Sequence, residues 1–286
     1  MCESPGFFRL DRESLLSPSL FRFLSVLDQK IKKTAQIRQI VVGEINCSCS
    51  ECSLCKLNLP THCAKRTVLG IINRPGTFAE FLTLPPKNLH IVPKGITIKE
   101  ACFVEPLAAA LEIQEQIAIK PSDKVLVVGD GKLGLLIAQF LQQTKCQLLV
   151  IGRHQNKLNI LEKRGIKTFL DPATVQNRSF DISIECTGNP TGFELARKAL
   201  RPRGVLVLKS TYADKLTILS EAIVVDELSV IGSRCGPFPK AIEALALKKV
   251  DVSSLFEREF PLSQAVEAMA YADQKGKLKV QLVMND

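Results

Sequence analysis

The 286-residue chain has no tryptophan, two tyrosines and three histidines. With no cluster of aromatics among basic residues, it lacks a platform on which nucleic-acid bases could stack, although its formal net charge is +9. A zinc-knuckle nucleic-acid module is therefore the weakest of three functional readings, and no nucleic-acid partner is expected. The positive charge suits small anionic ligands such as nucleotide phosphates. No run of eighteen apolar residues occurs, so no membrane partner is expected. The N-terminus lacks the ordered basic, apolar and small-residue segments of a secretory leader. That points to a cytoplasmic, reducing setting, in which cysteines stay unpaired or bind metal. What is present is ordinary for a globular protein: 46% apolar residues, 23% charged, and length enough for two domains.

The ten cysteines are unevenly placed. Four of them, Cys49, Cys52, Cys55 and Cys63, stand in the order C-x2-C-x2-C-x7-C. Pairs two residues apart let one tight turn offer two sulfurs to one ion, and zinc takes four such ligands in a tetrahedron. With four cysteines and no open position, the site reads as a structural staple without chemistry of its own. Cys47 and His62 are neighbours rather than ligands.

Residues 124–142 read KVLVVGDGKLGLLIAQFLQ. An apolar run, Val125 to Val128, enters Gly129-Asp130-Gly131-Lys132-Leu133-Gly134, and a helical pattern follows. This is G-x-G-x-x-G between strand and helix, where it binds a dinucleotide. The first glycine permits the turn, the second lets backbone approach a pyrophosphate, and the third lets helix pack on strand. The next strand, Gln147 to Ile151, ends in Gly152-Arg153-His154. An acidic residue there would hold the ribose hydroxyls of NAD, and none stands there. Arg153 could instead pair with the 2′-phosphate of NADP, with His154 assisting. The competing reading is a solvated Arg153 with NAD held otherwise; the missing acid and the arginine together favour NADP.

Strands and helices then alternate. Phe180 to Glu185 is a strand closing at Cys186-Thr187-Gly188, Phe193 to Leu200 a helix, Val205 to Lys209 a strand after the turn Pro202-Arg203-Gly204, and Val230 to Gly232 another strand. This predicts a doubly wound parallel sheet, with ligand at the strands' carboxyl ends beside Gly129, Arg153 and Thr187. Upstream, residues 76–85 carry a short β-type pattern, Leu89 to Gly95 a strand and turn, and Thr97 to Glu100 a capping box. Glu105 follows, among Phe103, Val104, Leu107 and three alanines. A carboxylate there must find a partner or shift its pKa. A metal ligand, a cleft acid and a helix-start glutamate satisfied by backbone N–H groups all stay open.

These motifs, with GTFAEF at 76–81, VEPLAAALE at 104–112 and CTG at 186–188, resemble in order and spacing the zinc-containing medium-chain dehydrogenase/reductase family. That family includes alcohol, sorbitol, threonine and glucose dehydrogenases. The resemblance implies an α/β fold: a Rossmann doubly wound parallel sheet plus a partial GroES-like β domain. It implies an atypical segment 1–40, a GroES-like part 41–118 with the zinc lobe, a Rossmann domain 119–235, and a return to the catalytic domain over 236–286. Further implications are a structural zinc on Cys49, Cys52, Cys55 and Cys63, NADP or NAD on the glycine turn, an alcohol, polyol or sugar substrate, and dimers or tetramers.

In the family a catalytic zinc polarises the substrate oxygen before hydride passes to the nicotinamide. Glu105 matches its third protein ligand. The first two, a cysteine and a Gly-His-Glu histidine upstream of the lobe, have no match, since the histidines are His62, His90 and His154. The usual N-terminal part is thus expected to be lost or replaced. Residues 19–33 read instead as an amphipathic helix. The alternative function is a non-catalytic dinucleotide-binding or redox-sensing relative.

Overall fold

In a computed structural model the described residues are 39–79, 81–212 and 215–284, so the expected helix over 19–33 lies outside them. They divide into two compact units, one of residues 109–236, the other of 39–108 with 237–284.

The second unit starts with short strands. β1 (Val41–Gly43) pairs antiparallel with β4 (Leu89–Ile91), and β2 (Asn46–Cys47) with β3 (Thr67–Val68). Between β2 and β3 lies the cysteine lobe, with the single-turn helix α1 (Ser53–Lys56). No strand forms in the described part of 76–85, contrary to its alternating pattern. Phe78 and Phe81 are exposed there while Thr77 is buried, so the largest apolar side chains of the pattern do not fill a covered face. The capping box forms: Thr97 N–H donates to Glu100 Oε2 at 2.8 Å and Glu100 N–H to Thr97 Oγ1 at 3.2 Å. It opens the short helix α2 (Ile98–Ala101), and α3 (Val104–Gln116) carries the chain onward.

The first unit is one parallel six-stranded sheet. Its strands are β5 (Lys124–Val128), β6 (Gln147–Ile151), β7 (Lys167–Phe169), β8 (Phe180–Glu185), β9 (Leu200–Leu208) and β10 (Ser229–Gly232). The order β10-β9-β8-β5-β6-β7 is the doubly wound order, whose switch point falls between β5 and β8. Both faces of β5 are covered, which is why KVLVV runs apolar without alternating. Helices α4 (Lys132–Leu141), α5 (Gln155–Glu162), α6 (Pro190–Ala199) and α7 (Ser220–Val225) join the strands. The N-cap of α6 is legible in sequence: Asn189 Oδ1 accepts from Gly192 N–H at 2.8 Å, and Pro190 takes the first turn. Phe193, Ala196 and Ala199 on α6 pack into the core with Leu126, Val128 and Leu206 of the sheet.

The chain then returns to the other unit with α8 (Phe238–Ala246), β11 (Phe256–Pro261), α9 (Ala265–Ala272) and β12 (Lys279–Val283). Strands β11 and β12 pair in parallel. The Phe238 ring lies 5.5 Å from the His90 ring, and Lys248 bonds Glu100 at 2.7 Å, so this segment packs on the elements before residue 108.

Candidate functional site: a glycine turn and a cysteine lobe

The turn after β5 is built by what its glycines leave out. Gly129 has φ +125, and a side chain on it would press against the Cys186 carbonyl. A Cβ on Gly134 would overlap the Gly129 carbonyl oxygen. These two glycines close the turn onto β8 and onto its own helix. Gly131, the N-cap of α4, differs: a Cβ there would meet nothing within 4 Å. Its space lies open beside the start of α4, where the N–H groups of Lys132 and Leu133 stand. The result is an open cradle at the N-terminus of α4.

Thr187 lies at the switch point just after β8. Its N–H and hydroxyl donate to Glu185 Oε1, and Tyr212 O–H donates to Glu185 Oε2 at 2.6 Å. Glu185 is fully buried, so these donors are what lets a carboxylate sit there. Burial pushes the Cys186 thiol up; its Sγ bonds the Val128 carbonyl at 3.1 Å.

At the end of β6 stands a carboxylate that the sequence order hides. Asp130, inside the glycine turn, crosses to Gly152. Its Oδ2 accepts from Arg153 N–H at 2.7 Å and His154 N–H at 2.6 Å, and His154 Nδ1 lies 3.0 Å away. A Cβ on Gly152 would lie 2.6 Å from the Asp130 Cβ, so the approach requires glycine. The expectation that no acid stands at this place holds for β6 itself and fails in space. An Asp inside the motif, with a Gly closing the next strand, was the signal available. Arg153 Nη2 reaches Thr191 Oγ1 at 3.2 Å. The sheet thus brings together Gly129, Gly131, Lys132, Leu133, Gly134, Arg153 and Thr187.

In the other unit the four sulfurs converge. Cys63 and Cys49 are 3.4 Å apart, Cys52 and Cys55 3.5 Å, Cys52 and Cys63 3.7 Å, and Cys49 and Cys55 4.0 Å. Zinc at about 2.3 Å from each of four tetrahedral sulfurs sets them about 3.8 Å apart, so the geometry suits that ion. Ser50, with φ +65, turns the chain between Cys49 and Cys52. N–H groups of Glu51 and Cys52 point at Cys49 Sγ, and Cys49 N–H points at Cys63 Sγ. A cluster of four thiols cannot ionise alone. The Cys55 N–H draws Cys52 down to about 6, while burial and the Cys52 thiol push Cys55 up to about 11. A dication removes that conflict by letting all four be thiolates. Cys47 and His62 are outside the cluster.

Glu105 sits in the first turn of α3, half-buried. Its charged neighbour is Lys279 on β12, an ammonium 2% exposed with no hydrogen-bond partner among the described residues. Burial pulls the Lys279 pKa down, against the pull of Cys102 and Glu105. Among the described residues the four cysteines are the one group of three or more metal-binding side chains. Glu105 belongs to no second group, so these residues do not build a catalytic zinc centre.

The family described as "Glucose dehydrogenase C-terminus" matches residues 100–284. The chain belongs to that family. With it comes the wider group of zinc-containing medium-chain dehydrogenases/reductases of the alcohol, sorbitol and threonine type. Sorbitol dehydrogenase from Halalkalibacterium halodurans is 26% identical over 232 residues, 76% of this chain and 67% of that protein. A solved structure described as a zinc-binding dehydrogenase from Sinorhizobium meliloti 1021, bound to NADP, has a TM-score of 0.80 at 23% identity. The match covers 88% of this chain and 78% of that one. L-idonate 5-dehydrogenase from Escherichia coli gives 0.79 at 22% identity, covering 87% and 76%. The fold is thus a Rossmann α/β sheet with a partial GroES-like part, as the sequence predicts.

Proposed function

We propose that this dehydrogenase-family chain binds NADP or NAD on the glycine turn and moves hydride between the cofactor and an alcohol, polyol or sugar. The observation that carries the reading is the cradle at Gly131, open where Gly129 and Gly134 are closed. Similarity to sorbitol and L-idonate dehydrogenases supports the substrate class and favours an oxidoreductase over the non-catalytic alternative.

When bound, the nicotinamide takes up or returns the hydride. The chain's own residues hold it. N–H groups at the start of α4, with Lys132 and Leu133, receive the pyrophosphate. Arg153 pairs with a 2′-phosphate, and Thr187 lines the switch point, its backbone fixed by Glu185. Cys49, Cys52, Cys55 and Cys63 hold a structural zinc, which fixes the lobe between β2 and β3. Glu105 has no companion metal ligands among the described residues. Its role near the start of α3 is to offset the charge of the buried Lys279.

The division at 1–40, 41–118, 119–235 and 236–286 belongs to the same reading. So do a cytoplasmic setting, no nucleic-acid partner, and a homo-oligomer. No helix among the described residues is long and apolar enough to cross a membrane. Strand β10 forms the sheet edge with Val230 exposed, and a second copy pairing there would cover it.

The test is a fluorescence titration of the purified chain with NADPH and NADH, then a screen of alcohols, polyols and sugars. Zinc per chain is measured alongside by elemental analysis. Dinucleotide binding with turnover of a polyol and one zinc is expected. Binding without any turnover would replace the oxidoreductase reading by the non-catalytic one.

A further inference from the structure

The end of β6 carries two opposite charges with different constraints. Asp130 is buried and fixed, while Arg153 is exposed and held at its tip by one hydroxyl. Of the Asp130 oxygens, Oδ2 is saturated by two N–H groups and the imidazole. Oδ1 has only His154 Nδ1, at 3.2 Å. A carboxylate oxygen accepts two hydrogen bonds, so Oδ1 keeps room for another donor. No acidic residue occupies the first turn of α5, so none competes for the role. In a doubly wound fold the adenosine ribose lies over this corner, between the glycine turn and the end of the second strand.

Resting on the dinucleotide reading above, we infer that Asp130 is the carboxylate that receives the adenosine ribose, and that its balance with Arg153 sets the choice between NAD and NADP. The 2′-hydroxyl of NAD donates to Oδ1. The 2′-phosphate of NADP cannot donate there and meets a negative charge, which Arg153 offsets by leaving Thr191 for the phosphate oxygens. Asp130 thus does from inside the glycine turn what an acid at the end of β6 does elsewhere. Gly152 is the residue that makes this possible, because any side chain there would strike the Asp130 side chain.

The test is the ratio of NADH to NADPH dissociation constants for the full chain and two variants. The 5′-AMP and 2′,5′-ADP pair serves as a probe independent of turnover. Asp130→Asn is expected to move the ratio about tenfold toward NADPH, and Arg153→Ala about tenfold toward NADH. An unchanged ratio in Asp130→Asn, including equal weakening of both ligands, would reduce Asp130 to a brace of the turn and overturn the inference. If Asp130→Asn fails to fold, the unaltered chain decides. 2′-deoxy-NADH binding about tenfold more weakly than NADH supports the inference, and equal binding overturns it. Failure of the unaltered chain to bind either dinucleotide sinks the oxidoreductase reading itself. A bound dinucleotide with an unmoved ratio sinks only the role of Asp130.

Discussion

The glycine turn and the cysteine lobe are both loops that leave a short strand, yet they are stabilised in opposite ways. The turn has a buried sheet behind it, and its shape is set by absent side chains at 129, 134 and 152. The lobe has almost no core: α1 buries none of its four residues, and Leu57 and Leu59 are exposed. Its order comes from four side chains meeting at one point. The first region should therefore keep its shape without ligand, and the second should not keep its shape without metal.

Removing zinc with a chelator, or Cys52→Ser, is the strongest way to break that contrast. A tetrahedral thiolate site is worth on the order of 10 kcal/mol of ordering. Proteolysis between residues 48 and 66 should then become fast while NADPH binding persists. Simultaneous loss of NADPH binding would show that the two regions are not independent.

The next test lies within the glycine motif. Gly134→Ala forces a Cβ onto a carbonyl oxygen and should cost about 3 kcal/mol or more in thermal stability. Gly131→Ala has open space, so its melting temperature should stay nearly unchanged while dinucleotide affinity falls about tenfold. Equal melting losses in the two variants would contradict the division between closed and open glycines.

Smaller effects sharpen the picture behind the turn. Tyr212→Phe removes one donor to the buried Glu185 carboxylate and should cost about 1–3 kcal/mol by denaturant unfolding. An unchanged midpoint would mean that Thr187 and the Gly188 N–H, which also donates to Glu185 Oε1 at 3.2 Å, suffice. Asp181 is the acid-sensitive tie of the sheet. Burial raises its pKa, but Lys124 N–H at 2.7 Å and the Arg201 guanidinium at 2.7 Å outweigh this and hold it below the usual carboxylate value. A depressed folded pKa contributes stability that is present above the ordinary value and lost as pH falls through the depressed one. Asp181→Asn should therefore flatten the loss of stability below about pH 4 by about 1 kcal/mol. An identical acid profile would remove Asp181 from that role.

The parallel sheet and the glycine turn were legible because their residues are local: an apolar strand, three glycines and a helix follow one another. The four cysteines were legible for the same reason. Strand β7 was not, since Lys167–Phe169 is three residues long with too short a pattern to read. Residues 202–204 read as a turn, and they form an irregularity inside β9, where the pairing with β8 jumps from Leu200 to Val205 around Arg203 at φ +61. Asp130 escaped because its partners are 23 and 24 residues away, and strand pairing alone brings them near. Lys279 lies still further from Glu105 and carries no local mark of burial.

The seclusion of two other thiols divides the cysteines by reactivity. Cys102 is fully buried and pushed up to about 12 by burial, and Cys186 is wedged among Val128, Gly129 and Gly134. Neither offers a thiolate at neutral pH, so alkylating reagents and peroxide should pass them by. The lobe thiols are shielded only while metal holds them. The extra thiol reagent consumed once metal is removed, above that taken by the partly exposed Cys146 and Cys235, is thus a built-in gauge of whether the cysteine lobe is loaded.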